Sequence, residues 1–367
     1  MPELPEVEIV RRGLASHIMG AVCTGVDVID ERILRRHGAP AAPHPSGADF
    51  ARSLIGERIG AVVRRGKFLW MPLADGVLPM RRISQPQQAV ALVAHLGMSG
   101  QLLLRDCVAA TRGPATCATS DNSLQGLVSP MPSVDPQRNA AVCAQSRDLR
   151  QGSTIADEFG DDRSSRVALA LAGPHVRARL QLVRADGRAI ELSFVDQRVF
   201  GRLSLETLAD DGRGRLVPGS VTVIAPDPLE PAFDEDIVVA RMQESRSSIK
   251  ALLLDQRLIS GVGNIYADES LWRARIYWAR PGRGIATRTL HRLLAAVREV
   301  FAESLDQGGT SFDSLYVNVN GESGYFSRGL NAYGRAGRPC PRCGTLIRRE
   351  RFGSRSSYYC PRCQRSR

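Results

Sequence analysis

Four cysteines near the end of the chain, Cys340, Cys343, Cys360 and Cys363, follow the spacing C-x2-C-x16-C-x2-C. Two such knuckles can present four thiolates to a single tetrahedral cation, and the spacing matches a structural zinc site. Four sulfur ligands leave no open position, so the metal would organise the chain rather than act on a substrate. Paired disulfides are the alternative, and they suit an oxidising compartment. Between the knuckles lie Arg348, Arg349, Arg351 and Arg355, so the hairpin would be a rigid basic finger. Cys23, Cys107, Cys117 and Cys143 have no ligand-like spacing and read as free thiols.

The opposite end reads MPELPEVE, with three glutamates and two prolines in eight residues. So specified an end poses the question whether the terminus itself does chemistry. Taken alone, it is most economically a frayed, solvated end. Charge supplies a second hint. The net charge is +11, and residues 335–367 hold ten arginines against one acid, Glu350, which is +9 for that module alone. Positive charge concentrated on one small unit favours a polyanion, because neutralising phosphates releases counterions. No apolar run approaches a membrane span, and acidic residues stand where a signal peptide would be basic. A cytoplasmic, reducing location and a monomer are expected.

The elements that must carry these groups follow from periodicity. Val7, Val10, Leu14 and Ile18 recur at helical spacing after Pro5 and before Gly20, predicting a helix over 5–19. From about 55 to 105 the pattern turns to strands. Over 175–205 it alternates cleanly, Val176, Ala178, Leu180 and Leu182 against Arg177, Arg179 and Gln181, with a hairpin turn at Asp186-Gly187. The first half is therefore mostly antiparallel β, a sandwich. Residues 107–173 are low in apolar content and without period, a disordered insertion, and 79–88 reads as a second, shorter one. APDPLEP (225–231) marks a linker, and helical patterns follow at 236–244, 247–256, 263–274 and 287–307. The expected segments are 1–224, 225–334 and 335–367.

Several motifs then stand in one order: PELPEVE, GKFL at 66–69, HLGMSG at 95–100, DQRVFGR at 196–202, GVGNIYADE at 261–269, GYF at 324–326, YGRAGRPC at 333–340 and the cysteine module. Together they resemble the bacterial formamidopyrimidine-DNA glycosylases of the formamidopyrimidine-DNA glycosylase and endonuclease VIII family. The resemblance covers the chain apart from the two insertions. It implies an α+β multidomain fold: an N-terminal antiparallel β-sandwich with flanking helices, a helix-two-turns-helix domain and a zinc finger, with nucleoid DNA across the cleft. It also implies a base-excision repair activity, glycosylase and AP lyase together, on double-stranded DNA containing oxidised purines such as 8-oxoguanine and formamidopyrimidines.

The resemblance assigns roles residue by residue. Removal of Met1 would leave Pro2 as nucleophile. A terminal amine, ordinarily about 7.7–8.0, is neutral near pH 7 far more often than a lysine near about 10.4. A secondary amine also yields an iminium that is cationic without a proton, an electron sink for strand-cutting eliminations. Glu3 is the general acid or base, with Glu6 one helical turn on as its orienting group. Lys67 matches the active-site lysine. Met98, Arg198 and Phe200 match the wedge that fills the space of an extruded base. Asn264 lies in a glycine-flanked turn where its amide and exposed backbone N–H groups would hold a phosphate. Arg355 aligns with the finger arginine, Lys250 with a lysine that meets DNA, and His95 and His175 with imidazoles near the backbone. Two positions depart from the pattern. Val199 stands where the family often has a second arginine, and Asp313 lies in the lesion loop where relatives carry a basic residue. An endonuclease VIII-type enzyme for oxidised pyrimidines is the nearest rival, against which PELPE rather than PEGPE argues. A non-catalytic DNA-binding zinc protein is the rival from another class.

Overall fold

The computed structural model describes residues 2–34, 45–75, 89–107, 173–309, 319 and 326–366. Met1, Asp313, Cys117, Cys143, the 79–88 segment and all but the edges of the 107–173 segment lie outside the described residues. Helix α1 spans Leu4–Ile18 with Pro5 in its first turn, and Gly20 at φ 76° follows as its stop. A short helix α2, Gly47–Leu54, is capped by the Ser46 hydroxyl.

Among the described residues ten strands form the sandwich: β1 (Val22–Val28), β2 (Glu57–Ile59), β3 (Val63–Arg65), β4 (Phe68–Asp75), β5 (Val90–His95), β6 (Gly100–Cys107), β7 (Val176–Val183), β8 (Ala189–Asp196), β9 (Arg202–Asp210) and β10 (Leu216–Pro218). The order is β10-β9-β5-β4-β2-β1-β7-β8-β6, with β3 on β4, and every ladder is antiparallel. Strand β4 belongs to both layers. Its Phe68–Pro72 half pairs with β5, and its Leu73–Asp75 half pairs with β2. Pro72, which has no N–H to donate, stands at the changeover. Leu69, Met71, Leu92 and Leu203 from one layer meet Leu180, Leu182, Leu192 and Phe194 from the other in one core, closed by Val7, Val10, Leu14 and Ile18 of α1. The expected alternation along β7 and the Asp186-Gly187 turn are both present.

Helices α3 (Glu235–Glu244), α4 (Ile249–Leu254), α5 (Asn264–Ala274) and α6 (Thr287–Asp306) pack around a separate core. Leu4 belongs to that core and not to the sandwich, and its N–H donates to the Gly261 carbonyl at 3.1 Å. The first turn of α1 is thus docked in the helical half. Strands β11 (Arg348–Phe352) and β12 (Arg355–Tyr359) form the hairpin between the cysteine knuckles.

The 225–231 segment is not the solvated linker that its prolines suggest. Asp227 is buried, accepting from Arg64 Nη1 at 2.7 Å and from the Gly66 N–H at 2.9 Å. Arg65, also buried, pairs with Asp211 at 2.8 Å and with Glu230 at 3.2 Å. Two arginines on β3 need buried acids, and this segment supplies Asp227 and Glu230. Among the described residues, no helix is long and apolar enough to cross a membrane.

Candidate active site

Pro2, Glu3 and Glu6 are buried, which overturns the frayed-end reading. The reason lies at the start of α5, whose first N–H groups have no partner within the helix. The Glu3 carboxylate takes them, accepting from Gly263 N at 2.7 Å, Ile265 N at 3.0 Å and Tyr266 N at 3.4 Å. The positive end of the helix favours that charge. Burial nevertheless outweighs those bonds and the nearby Lys67 charge, so the Glu3 pKa is raised. A Cβ at position 263 would collide with the Glu3 carboxyl, so the site needs glycine for close approach. The expectation that these N–H groups are free for a phosphate is thereby corrected, because Glu3 already occupies them.

Glu6 holds the terminus from within α1. Its Oε2 accepts from the Glu3 N–H at 2.8 Å, and its Oε1 accepts from the Tyr266 hydroxyl at 2.6 Å. Tyr266 in turn lies 2.6 Å from Ser304 Oγ on α6, with all three groups buried. Lys67, in the turn before β4, donates to the Val262 carbonyl at 3.0 Å. Burial lowers its pKa, Glu3 opposes that, and the positive charge of Arg355 adds to it. Pro2, Glu3, Glu6, Lys67 and the exposed finger arginine Arg355 therefore converge on one place, built from α1, the β3–β4 turn, α5 and the hairpin.

Lys250 does not face solvent. It is fully buried on α4, 2.7 Å from Asp268 Oδ1, and also donates to Ser356 O and Ser357 Oγ at 3.0 and 2.8 Å. An ammonium so enclosed cannot meet a phosphate, so its expected DNA contact is corrected to a tie between the helices and the finger. Asn264 shares this work, donating through Nδ2 to Ser356 O at 3.1 Å. Glu350, the single acid of the finger, accepts from Trp278 Nε1 at 3.1 Å and from the Tyr277 and Tyr359 hydroxyls. The finger's acidic group points into the helical layer, and Arg348, Arg349, Arg351 and Arg355 remain exposed.

The proposed wedge residues sit on two neighbouring loops. Met98 is 46% exposed between β5 and β6, and Phe200 is 53% exposed between β8 and β9, too open for core residues. Arg198 is exposed beside Phe200. His95 ends β5, its ring 4.9 Å from Phe68 and its Nδ1 accepting from Gly97 N at 3.2 Å. His175 is half-buried, and its carbonyl accepts from Asp196 N at 2.9 Å, which places it at the same end of the sandwich. Sequence reasoning missed Tyr266, Asp268, Ser357, Asp196 and Ser99, all of which act through partners remote in the chain. GVGNIYADE, an apolar helix start that nonetheless carries Tyr, Asp and Glu, was the available signal for two of them.

The four Sγ atoms of Cys340, Cys343, Cys360 and Cys363 lie within 4.8 Å of one another. That spread suits a tetrahedral zinc with bonds of about 2.3 Å. Trp272 Nε1 donates to Cys340 Sγ at 3.4 Å, and the Cys363 N–H donates to Cys360 Sγ at 3.4 Å, so each of these two sulfurs has one N–H that stabilises its charge. Cys23 is a free, buried thiol.

Three family models match the chain: the formamidopyrimidine-DNA glycosylase N-terminal domain over 1–203, the helix-two-turns-helix domain of the same glycosylases over 224–315, and a zinc finger found in formamidopyrimidine-DNA glycosylase and isoleucyl-tRNA synthetase over 337–365. A formamidopyrimidine-DNA glycosylase of Thermobifida fusca is 44% identical over 368 residues, covering 99% of this chain and 97% of the relative. One of Acidothermus cellulolyticus is 44% identical over 364 residues, covering 99% and 97%. The crystal structure of the MutM (Fpg) protein from Thermus thermophilus superposes with a TM-score of 0.64 at 30% identity, covering 99% of this chain and 98% of that one. Lactococcus lactis Fpg in complex with abasic-site DNA shares the fold, with a TM-score of 0.64 at 22% identity and coverage of 99% and 100%.

Proposed function

Because the chain belongs to the formamidopyrimidine-DNA glycosylase family, we propose that it is a base-excision repair enzyme which removes oxidised purines from duplex DNA and then cuts the strand. The observation that carries this reading is the junction of Pro2 and Glu3 with the start of α5, beside Lys67 and Arg355. Once Met1 is removed, the Pro2 nitrogen forms a bond to sugar C1′ while the glycosidic bond breaks, and the base leaves with the electron pair and a proton. Glu3, its pKa raised by burial, is suited to hold a proton for that departure. The C1′–O4′ bond then opens, O4′ taking the amine proton while the nitrogen lone pair forms the C1′=N iminium. This cation promotes loss of a C2′ proton with β-elimination of the 3′ phosphate, and then δ-elimination of the 5′ phosphate. Lys67 and the finger arginine Arg355, close enough to act on each other's charge, face the flanking phosphates.

Met98, Arg198 and Phe200 fill the space left by the extruded nucleotide. Zinc on the four cysteines keeps the hairpin folded, so that Arg355 is presented from a fixed base. The segments 1–224, 225–334 and 335–367 then serve as catalytic, DNA-gripping and finger units of a monomer working on cytoplasmic, nucleoid DNA. Borohydride trapping on a duplex with 8-oxoguanine opposite cytosine tests this. The processed protein should form a covalent adduct and Pro2→Gly should not. No adduct from the unmutated protein overturns the reading.

A further inference from the structure

We propose that Asp196 is the positioning residue that locks the two wedge loops into one unit; this rests on the reading of Met98, Arg198 and Phe200 as the groups that replace an extruded base. Asp196 is fully buried at the end of β8. One oxygen, Oδ1, accepts from Ser99 Oγ at 2.6 Å and from Arg198 N at 3.1 Å. The other, Oδ2, accepts from Gly201 N at 2.7 Å. Ser99 follows Met98 on one loop, and Arg198 and Gly201 bracket the other, so a single carboxylate joins both loops that carry the wedge.

Two further observations show how tightly the pair is held. A Cβ at Gly97, φ 59°, would lie 2.5 Å from the Phe200 carbonyl, so the loops touch backbone to backbone. Val199, between Arg198 and Phe200, has φ 55°. A β-branched residue persists in that region only where its surroundings over-determine the chain. The bonds from Asp196 to residues 198 and 201 supply that constraint on either side of it. Met98 and Phe200 are then presented together, without the ordering cost of two independent loops.

Asp196→Asn keeps the shape and removes the charge. Whichever way the amide turns, its NH2 faces a loop N–H: either Gly201 N loses its acceptor, or Arg198 N is left with the longer bond to Ser99 Oγ at 3.3 Å alone. Excision of 8-oxoguanine paired with cytosine, in single turnover, should slow by about ten- to a hundredfold. Cleavage at a preformed abasic site in the same duplex, with no stacked base to extrude, should change less than about threefold. The fluorescence of 2-aminopurine beside the lesion should report slower unstacking. Ser99→Ala, which deletes the hydroxyl that donates to Asp196 and accepts from Arg198 N at 3.3 Å, should reproduce the same selective defect more weakly and covers the case in which Asp196→Asn fails to fold. Equal loss in both reactions, or no loss in either, overturns the clamp. Phe200→Ala separates the premises. If it leaves excision and unstacking intact, the wedge reading falls and the proposal with it. If Phe200→Ala is impaired but Ser99→Ala and Asp196→Asn are not, only the clamp falls.

Discussion

Removing Lys250 should destabilise the finger's seat on the helices by an amount that depends on pH in a stated direction. Lys250 and Asp268 are 0% and 1% exposed as side chains, at 2.7 Å, and Asp268 Oδ2 also accepts from Tyr358 N at 2.9 Å. Burial pushes the Asp268 pKa up to about 7 even with Lys250 and the Tyr358 N–H pulling it down. The folded state therefore keeps a proton that the unfolded chain loses above its ordinary 3.8, and stability from this carboxyl declines as pH rises from about 4 to 7. In Lys250→Met the cation is gone and Asp268 must stay neutral. Below about 7 the unmutated protein holds that proton too, so the extra cost of the variant is nearly flat there; above about 7 it grows by ~1.4 kcal/mol per pH unit, because only the variant must still keep Asp268 neutral. Asp268→Asn leaves a buried ammonium instead, whose pKa burial already lowers, and its cost should grow as pH falls. Breaking such a pair typically costs ~3–5 kcal/mol, whereas Lys250→Met with Asp268→Leu should cost near ~0 kcal/mol. Denaturant unfolding of the zinc-loaded protein at pH 7 and pH 9 reads both slopes. Trp272 and Trp278 fluorescence reports the finger locally, because their indoles donate to Cys340 and Glu350. A Lys250→Met cost that is equal at the two pH values, or a double variant as unstable as the two singles combined, refutes the reasoning.

Glu8 gives a second pH test. Burial works to raise its pKa, but hydrogen bonds and charges from Arg11 and Arg64 prevail and bring it to about 2. Its contribution, discounted for partial solvent screening to ~2 kcal/mol, is present above the ordinary 4.5 and lost as pH falls through about 2. Glu8→Gln should thus flatten the acid limb of a stability–pH profile while costing stability at pH 7. Gly263→Ala should abolish trapping with 8-oxoguanine DNA while DNA binding persists, since the added methyl displaces the Glu3 carboxyl from α5; full trapping by this variant would show that Glu3 need not sit there.

Local pattern revealed most of the elements and little of their pairing. The alternation of β7, the helix of the first turns and the cysteine spacing are short-range signals, and each led to the element observed. The pairing of Arg64 and Arg65 is beyond any local pattern because their acids, Asp227, Asp211 and Glu230, lie about 150 residues away in the chain. The same holds for Lys250, whose exposure could not be judged without Asp268 and the finger strand beside it. Asp196 looked like one letter of a motif. Its role depends on Ser99, which a distance of 97 residues hides from any local pattern.

The Glu3 contact also sets an order of events in the life of the chain. Glu3 and Gly263 are separated by 260 residues, so the terminus leaves the ribosome long before the helix that will enclose it exists. At about 5–20 residues per second, that interval lasts on the order of tens of seconds. The proposed removal of Met1 has this window, while Pro2 is still open to a peptidase. After α5 forms, its first N–H groups bind the Glu3 carboxylate and the terminus is drawn inside.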